Sequence, residues 1–235
     1  MAFYKKQGEL IIFDFKLFRI KFNCAKKREL KNNKLIINNK KYNYLHKVNG
    51  LELQFLGQNS EVVIDKDIKF ENCKFIIKSN VKIHIKKTIH KIKNLIISSY
   101  DNINIFIDED FSCHGVYMEL HDEPFKNIKI GKDCMFSWDI LIRNSDGHAI
   151  YDIESKKLLN EGGDIVIGDH VWVGRSTTIL KKATIPSNSI VGIGAIVNKS
   201  FETNNIVIAG IPAKIVKRNV NWKRESPAYY KGGAK

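Results

Sequence analysis

The sequence predicts an all-β solenoid, in which the chain winds round a triangular prism and each six residues supply one flat β side. The first observation is a strict period of six among the β-branched aliphatic residues between positions 167 and 197. An α-helix repeats near 3.6 residues and a β-strand near 2, so neither explains this period. Two further observations agree. A small or β-branched residue follows most of these aliphatics by four positions, and glycine directly follows three of them.

The repeat assigns an interior side chain to each flat side of the prism. We expect each aliphatic to point into the axis, with the smaller residue beside it in the narrow interior. The same spacing links Ile130, Phe136 and Ile142 upstream. The hexad aliphatics are Ile167, Val173, Ile179, Ile185, Val191 and Val197, and the smaller residues are Val171, Thr177, Ala183, Ser189 and Ala195.

The pattern divides the chain into three segments. Residues 1–48 are expected to form a small β-rich N-terminal cap, since terminal repeats are atypical. Residues 49–214 are expected to form the β-helix, with looser coils before residue 130 and a loop insertion at 143–164. Residues 215–235 are expected to form a short C-terminal helix or tail. The hydrophobic content of 43% is ordinary for a globular protein.

The loop insertion is the candidate functional segment. Ile142 and Ile167 lie 25 positions apart, which is not a multiple of six, and the residues between them lack the repeat. A loop of this length in a compact domain is usually functional or disordered. Its content, including Ser145-Asp146-Gly147-His148 and Tyr151-Asp152, favours function.

Charge and cysteine content narrow the partners and the compartment. The net charge of +14 indicates an anionic partner. The lysines are scattered, however, without a basic helix, zinc finger or aromatic platform, so we expect no nucleic-acid binding. Cys24, Cys73, Cys113 and Cys134 form no C-x-x-C pair, which predicts reduced thiols and a cytoplasmic location. No apolar run approaches the roughly 18 residues of a membrane helix, so we expect no membrane insertion.

Two motifs and the hexads together carry a resemblance. Residues 168–174 (GDHVWVG) and 209–216 (AGIPAKIV) resemble those of the hexapeptide-repeat acetyltransferases, a superfamily with a left-handed β-helix fold that uses acetyl-CoA. Residues 130–135 and 142–151 are similar to those of bacterial capsule O-acetyltransferases that modify sialic-acid-containing polysaccharides. The closer similarity covers about residues 126–225.

The resemblance implies acetyl-CoA as co-substrate and an anionic, sialylated glycan of a bacterial capsule or lipooligosaccharide as acceptor. It also implies a cyclic homotrimer, because the active groove of the superfamily forms where two prisms meet. A lone prism would leave long flat sides exposed, which favours such assembly.

The chemistry predicts one base and no metal. Transfer of an acetyl group from a thioester to a hydroxyl needs a base, an oxyanion donor and aligned substrates. A neutral imidazole suits the base role near neutral pH. His148 lies in the out-of-pattern loop, and the resemblance carries the catalytic histidine of the family onto it. Asp146 or Asp152 would orient the second ring nitrogen of His148.

Trp172 is the second candidate catalytic residue. It precedes a hexad aliphatic and therefore faces outward, where an exposed indole is unfavourable unless something stacks on it. The resemblance places Trp172 in the acyl or acceptor pocket near His148, and packing in a trimer interface is the alternative. Trp138 has the same two interpretations. Asn198 stands where the nearest relatives carry an aromatic residue, so the acceptor sugar stays open.

The candidate coenzyme A site combines basic side chains with small residues. Arg175, Lys181 and Lys182 are expected on successive coils beside Trp172, where they could bind the phosphates. Further candidates for the phosphates are Lys199, Lys214, Lys217 and Arg218. Close approach of the pantetheine arm and adenine is expected at Gly192, Gly194, Ala195, Ala209, Gly210 and Pro212, where larger side chains would obstruct it.

Three alternatives remain at this point. The acceptor could be a nucleotide sugar, free sialic acid or a lipid-linked oligosaccharide, and N-acetylation of an amino sugar is chemically open. A zinc carbonic anhydrase uses the same prism, but it needs histidines five positions apart. Here His84 and His90 are six apart and could stack on one face. A non-catalytic scaffold is the third alternative, against which the intact His148 and Trp172 argue.

Overall fold

Three long sheets form the sides of a triangular β-solenoid in the computed structural model of the protein. The structure describes residues 3–6, 9–12, 30, 32–121 and 126–231. Strands β1 (Phe3–Lys6) and β2 (Glu9–Ile12) form an antiparallel hairpin. Within the three sheets the strands pair in parallel, except for β4 and β25, each of which pairs antiparallel with one neighbour.

Each coil passes through the three sheets, named faces I, II and III, in that order. Face I contains β7 (Lys69–Glu71), β10 (Lys91–Lys93), β13 (Ser112–Cys113), β16 (Met135–Phe136), β19 (Trp172–Val173), β22 (Ile190–Val191), β24 (Ile206–Ala209) and β25 (Lys214–Arg218). Face II contains β5 (Leu51–Phe55), β8 (Cys73–Ile77), β11 (Leu95–Ser99), β14 (Val116–Leu120), β17 (Ile140–Arg143), β20 (Thr178–Ile179) and β23 (Ile196–Val197). Face III contains β3 (Lys34–Ile37), β4 (Lys40–Tyr42), β6 (Glu61–Ile64), β9 (Lys82–Ile85), β12 (Ile103–Ile107), β15 (Lys126–Ile130), β18 (Ile165–Ile167) and β21 (Thr184–Ile185).

The predicted hexad interior is confirmed. All six hexad aliphatics and all five of the smaller residues are at most 1% exposed. Val173 pairs in parallel with Val191, eighteen positions further on, so three hexads make one coil. The strands here have only two or three residues, and the aliphatic is the last of each. The period of six is therefore the length of one side plus one corner.

Longer strands explain the looser spacing upstream. Val62 pairs with Ile83, and Ile83 is in register with Ile105, so these coils have 21 and 22 residues. Phe75, Phe111 and Phe136 are at most 1% exposed, and the rings of the last two meet edge to face with centroids 5.1 Å apart. These large side chains fill the interior of their coils.

The corners of the hexad coils use a left-handed backbone conformation. One residue per corner, again every sixth position, has a φ between 54° and 68°. Such a residue turns the chain through the corner within a few positions, which lets each side stay flat. These residues are His170, Ser176, Lys182, Asn188 and Gly194.

The ends differ from the expected boundaries. Strand β3 lies inside the predicted cap of residues 1–48, yet it pairs in parallel with β6 and so belongs to the solenoid. The segment expected from residue 215 as a short helix or tail begins instead as a strand, because β25 continues to Arg218 and pairs with β24. A short 3-10 helix at Pro227–Tyr229 follows. Among the described residues, no helix has the length and apolar character needed to span a membrane.

Candidate active site

The excursion of residues 144–164 leaves the solenoid at the corner between faces II and III. Asn144 is fully buried and holds its start to the preceding coil. Its Oδ1 accepts a hydrogen bond from the His121 amide (2.8 Å), and its Nδ2 donates to the His121 carbonyl (3.1 Å). Gly163 near the other end donates its amide to the Asn144 carbonyl (3.0 Å). Both ends are therefore fixed at one buried asparagine.

Asn160 organises the interior of the excursion. Its Nδ2 donates to the His148 carbonyl (2.8 Å) and to Asp146 Oδ2 (2.9 Å), and its Oδ1 accepts from the Ile150 amide (2.7 Å). Lys181 on the next coil donates from Nζ to Asp146 Oδ2 (2.6 Å) and to the Asn160 carbonyl (2.7 Å). The backbone of His148 is thus held in place by the side-chain amide of Asn160, a residue that no sequence pattern singled out.

The expected pairing of His148 with a carboxylate is not found. The hydrogen bond from Lys181, with a second from Asn160, holds the pKa of Asp146 below its ordinary value. Asp152 Oδ1 instead accepts from the amide (2.7 Å) and hydroxyl (2.8 Å) of Ser155 in its own turn. Within the described residues, no hydrogen bond joins either carboxylate to the His148 ring.

His148 lines a cavity of about 320 Å³ and is exposed to solvent. An exposed imidazole in a concave site can meet a substrate hydroxyl, which is the first geometric requirement for a general base. The cavity walls are Tyr100, His121, Ser145, Gly147, Ala149, Leu158 and Asn160.

His121 places a second imidazole in this cavity. Its ring stacks on Tyr100 with centroids 5.3 Å apart, and its Nε2 lies 3.2 Å from Nη2 of Arg143. Arginine only donates, so Nε2 accepts and the proton of the neutral ring is on Nδ1. Glu119 Oε1 lies 3.6 Å from Nε2, too far for a hydrogen bond. His121 directly follows β14, at the same corner as the excursion but one coil earlier. Stacking the coils in the sequence would therefore have placed this histidine beside His148.

Trp172 lies on face I, away from His148 in the same chain. It is 40% exposed and lines a different cavity, of about 670 Å³, together with His170, Trp222 and Tyr230. Trp138, at the corner between faces I and II, is 50% exposed and meets the His114 ring edge to face. The expected proximity of Trp172 to His148 is therefore not met within a single chain.

The predicted phosphate-binding residues separate into two groups. Arg175 lies at the corner between faces I and II, where its Nε is 3.0 Å from Asp139 Oδ2. Lys181 and Lys182 lie at the corner between faces II and III, on the same coil. Their expected arrangement on successive coils beside Trp172 is wrong, because all three lie on one coil, at two corners that strand β20 of face II separates. The Lys181 ammonium also already donates a hydrogen bond to Asp146 Oδ2.

Small residues create an open backbone surface beside Arg175. A Cβ atom added at Gly192 would lie 2.9 Å from the Ala209 Cβ, so these coils pack closely. Gly194 has a φ of +68° with no atom within 4 Å of an added Cβ, and its amide donates to the Arg175 carbonyl (2.8 Å). The Gly210 carbonyl accepts from the Ile196 amide (3.1 Å), which brings the turn before Pro212 to the same corner. Ala195 itself is fully buried.

The remaining basic candidates lie toward the C-terminal end of the solenoid. Lys199 and Lys214 line one cavity of about 430 Å³, which brings two predicted phosphate ligands together. Lys217 and Arg218 are exposed on β25. Asn198 is also exposed.

The histidines proposed for a zinc alternative do not share a face. His84 is on β9 of face III, with its Nε2 3.1 Å from Asp65 Oδ1, whereas His90 precedes β10 of face I. In the part of the chain that the structure describes, no group of three His, Cys, Asp or Glu residues is placed to hold a metal ion.

Comparison with individual known proteins places the chain in a family, although no general family model matches it. A polysialic acid O-acetyltransferase of Neisseria meningitidis is 36% identical over 196 residues, which cover 75% of this chain and 81% of that relative. The chain belongs to the polysialic acid O-acetyltransferase family. The crystal structure of the polysialic acid O-acetyltransferase OatWY agrees, with a TM-score of 0.64, 33% identity and coverage of 85% of this chain and 91% of that one.

A second relative in this family matches more strongly over a shorter stretch. The polysialic acid O-acetyltransferase of Escherichia coli O1:K1 (APEC) is 43% identical over 102 residues, 43% of this chain. The match spans only 33% of that relative's own length. Membership of the polysialic acid O-acetyltransferase family confirms the predicted left-handed β-helix and the predicted enzyme class, an acetyl-CoA-dependent O-acetyltransferase.

Proposed function

We propose that the protein transfers the acetyl group of acetyl-CoA to a hydroxyl of a sialic-acid-containing glycan of the bacterial surface, in a capsule or a lipooligosaccharide. The observation that carries the proposal is the exposed His148 at the wall of a cavity on a firmly anchored excursion. It stands in a chain 36% identical to a polysialic acid O-acetyltransferase. The net charge of +14 suits an anionic acceptor.

His148 acts as the general base in this proposal. Its neutral imidazole takes the proton of the sugar hydroxyl while the hydroxyl oxygen bonds to the thioester carbonyl carbon. The resulting tetrahedral oxyanion collapses, the carbon–sulfur bond breaks, and the departing thiolate of coenzyme A recovers the proton from the imidazolium. The Nδ1–H of His121 offers a hydrogen-bond donor in the same cavity, for an acceptor oxygen or for the oxyanion.

The complete site needs two copies of the chain. His148 lies at the corner between faces II and III, whereas Trp172 lies on face I and the glycine-rich surface beside Arg175 at the corner between faces I and II. Aligned reaction requires acceptor, thioester and base within about 3–3.5 Å. Residues on separate sides of a prism meet that requirement only when the His148 corner of one copy faces the Trp172 side of another.

An apolar row on face II supports a homotrimer. Five outward residues follow one another in register on adjacent strands, and four of them are apolar or aromatic. Ile96 and Tyr117 in this row are 39% and 41% exposed. A largely apolar row on a flat sheet is typical of a subunit interface. The row consists of Ile96, Tyr117, Leu141, Thr178 and Ile196.

We expect Leu141→Asp to dissociate the trimer and abolish activity, because it places a carboxylate in the middle of this row. Multi-angle light scattering should give three chain masses for the wild type and one for the variant. Thr184→Asp places the same charge on face III and should leave the trimer intact. A fully active wild-type monomer would contradict the shared site.

The acceptor is tested by a panel of substrates. With acetyl-CoA, we expect free thiol release in the presence of polysialic acid and none above background with neutral glycans. NMR of the product should show an O-acetyl ester on sialic acid. Preferential acetylation of a nucleotide sugar, of free sialic acid, of a lipid-linked oligosaccharide or of an amino group would identify one of the alternative acceptors instead.

The proposed compartment is the bacterial cytoplasm, where acetyl-CoA is made. Cys73, Cys113 and Cys134 are buried free thiols, a state that a reducing compartment preserves. Burial raises the pKa of Cys134 to about 12, so this thiol is inert. Cys24 lies outside the described residues.

A further inference from the structure

We propose that the C-terminal segment, residues 219–231, builds a second acceptor subsite on face I, which holds a sugar unit of the glycan beyond the one that is acetylated. The inference rests on the proposed function and adds a site to it. It starts from the cavity of about 670 Å³ that this segment encloses with His170 and Trp172.

The C-terminal segment is firmly attached through Trp222. This indole is only 7% exposed and stacks on the His170 ring, with centroids 4.3 Å apart and planes inclined by 9°. Its Nε1 donates to the His170 carbonyl (2.8 Å), while the Trp222 carbonyl lies 3.0 Å from His170 Nε2. At the start of the segment, the Val220 amide donates to the Asn205 carbonyl (3.0 Å).

Arg224 provides the second attachment. Its guanidinium donates to Asp133 Oδ1 (2.9 Å), Ser112 Oγ (2.7 Å) and the carbonyls of Asp110 (3.1 Å) and Cys134 (3.2 Å). Burial raises the pKa of Asp133, but the hydrogen bonds from His170 and Arg224 outweigh it and keep the pKa below its ordinary value. Asp133 therefore remains an anion held by both side chains. The wall of the cavity is preformed rather than dependent on a ligand.

The lining of the cavity suits a sugar ring. Trp172 is 40% and Tyr230 56% exposed, so both present ring surface to a ligand, and Pro227 adds an apolar wall. The volume of the cavity falls in the range of about 300–1,000 Å³ that is typical of small-molecule sites. Such sites combine apolar walls with few polar groups. The C–H face of a pyranose packs on such rings, whereas its hydroxyls reach the polar groups at the rim.

One cation at the rim can meet an anionic sugar, because Lys223 makes only solvent-exposed contacts, one of them over the Tyr230 ring (Nζ 5.2 Å from the ring centroid). Lys223 Nζ lies 3.7 Å from Glu225 Oε1, and the two side chains are 63% and 42% exposed. An exposed pair of this kind contributes little, so Lys223 can turn toward a ligand carboxylate. Arg224 and His170, by contrast, are committed to Asp133.

The same features disfavour coenzyme A as the occupant. Its pyrophosphate and 3′-phosphate would need several free cations, whereas this cavity offers one lysine opposed by one glutamate. The open backbone surface that suits a pantetheine arm lies elsewhere, at the corner between faces I and II around Gly194. A glycan unit is the ligand that the aromatic walls and the single cation fit.

The proposal is tested by the dependence of KM on acceptor length. Tyr230→Ala in the intact chain should raise KM for a long sialic acid polymer about two- to tenfold, the range expected for loss of one aromatic contact. Lys223→Gln should act in the same direction, with a smaller effect at high salt. The rise should be confined to long acceptors and absent from KM for acetyl-CoA. Tyr229→Ala is the matched control, since this neighbouring tyrosine is 76% exposed and does not line the cavity.

Each outcome discriminates. An equal rise for short and long acceptors, a rise in KM for acetyl-CoA, or an unchanged KM in both variants would overturn the subsite while leaving the proposed function in place. Failure of the wild type to acetylate any sialylated acceptor would defeat the proposed function. In that case, titration of tryptophan fluorescence with polysialic acid decides the subsite, because quenching that Tyr230→Ala does not weaken would refute it.

Discussion

His148→Ala is expected to lower kcat by about 10²- to 10⁴-fold, the range that a positioned general base contributes. Without the imidazole, water must accept the hydroxyl proton as the thioester is attacked. KM for acetyl-CoA should change little, because the contacts proposed for coenzyme A come from the open backbone surface beside Arg175 and not from the His148 ring. Thiol release from acetyl-CoA at saturating acceptor measures the effect.

The controls separate a catalytic role from a structural one. The His148 ring is exposed and its backbone is fixed by Asn160, so the variant should keep the melting temperature of the wild type. His84→Ala, on face III, should retain full activity. If His148→Ala retained activity within a few-fold of the wild type while His121→Ala lost it, the base would be the imidazole of His121.

Phe136→Ala should destabilise the protein by about 3–5 kcal/mol, the usual cost of removing a large buried aromatic side chain. Phe136 is 1% exposed and meets the fully buried Phe111 edge to face. Its backbone is paired with Cys113 on one side and Val173 on the other, so the coils cannot close over the hole. The lost contacts are therefore not replaced.

Urea unfolding followed by circular dichroism measures this effect as a lower midpoint at unchanged slope. Phe106→Ala, on the outer side of face III and only half-buried, removes the same number of atoms and should cost clearly less. A loss below about 1 kcal/mol for Phe136→Ala would mean that the interior relaxes after all.

The interior of the hexad coils could be predicted residue by residue because it is specified locally. A side chain such as Val173 must point into the axis of the prism. The next coil needs a similar interior side chain eighteen residues later, at Val191. A narrow prism tolerates few alternatives, so the period survives in the sequence. Upstream the sides vary in length, and there the sequence predicted strands without their register.

The face or corner of the prism on which each residue lies was harder to predict. Arg175 and Lys181 are close in sequence, but they lie at different corners of the prism, with strand β20 of face II between them. The C-terminal segment leaves no local pattern at all. Arg224 contacts Ser112 across 112 residues, and one arginine in a lysine-rich chain gives no sign of such a partner.

The pairing of Ile128 with Ile165 has a consequence for how this scaffold changes. The coil closes in ordinary register although 37 positions separate the two residues, as if the excursion between them had never been inserted. A corner can thus gain, lose or exchange an entire loop insertion while the coils on either side keep their strand register. Under the proposed function, acceptor preference can diverge through such exchanges without disturbing the backbone surface proposed to bind acetyl-CoA.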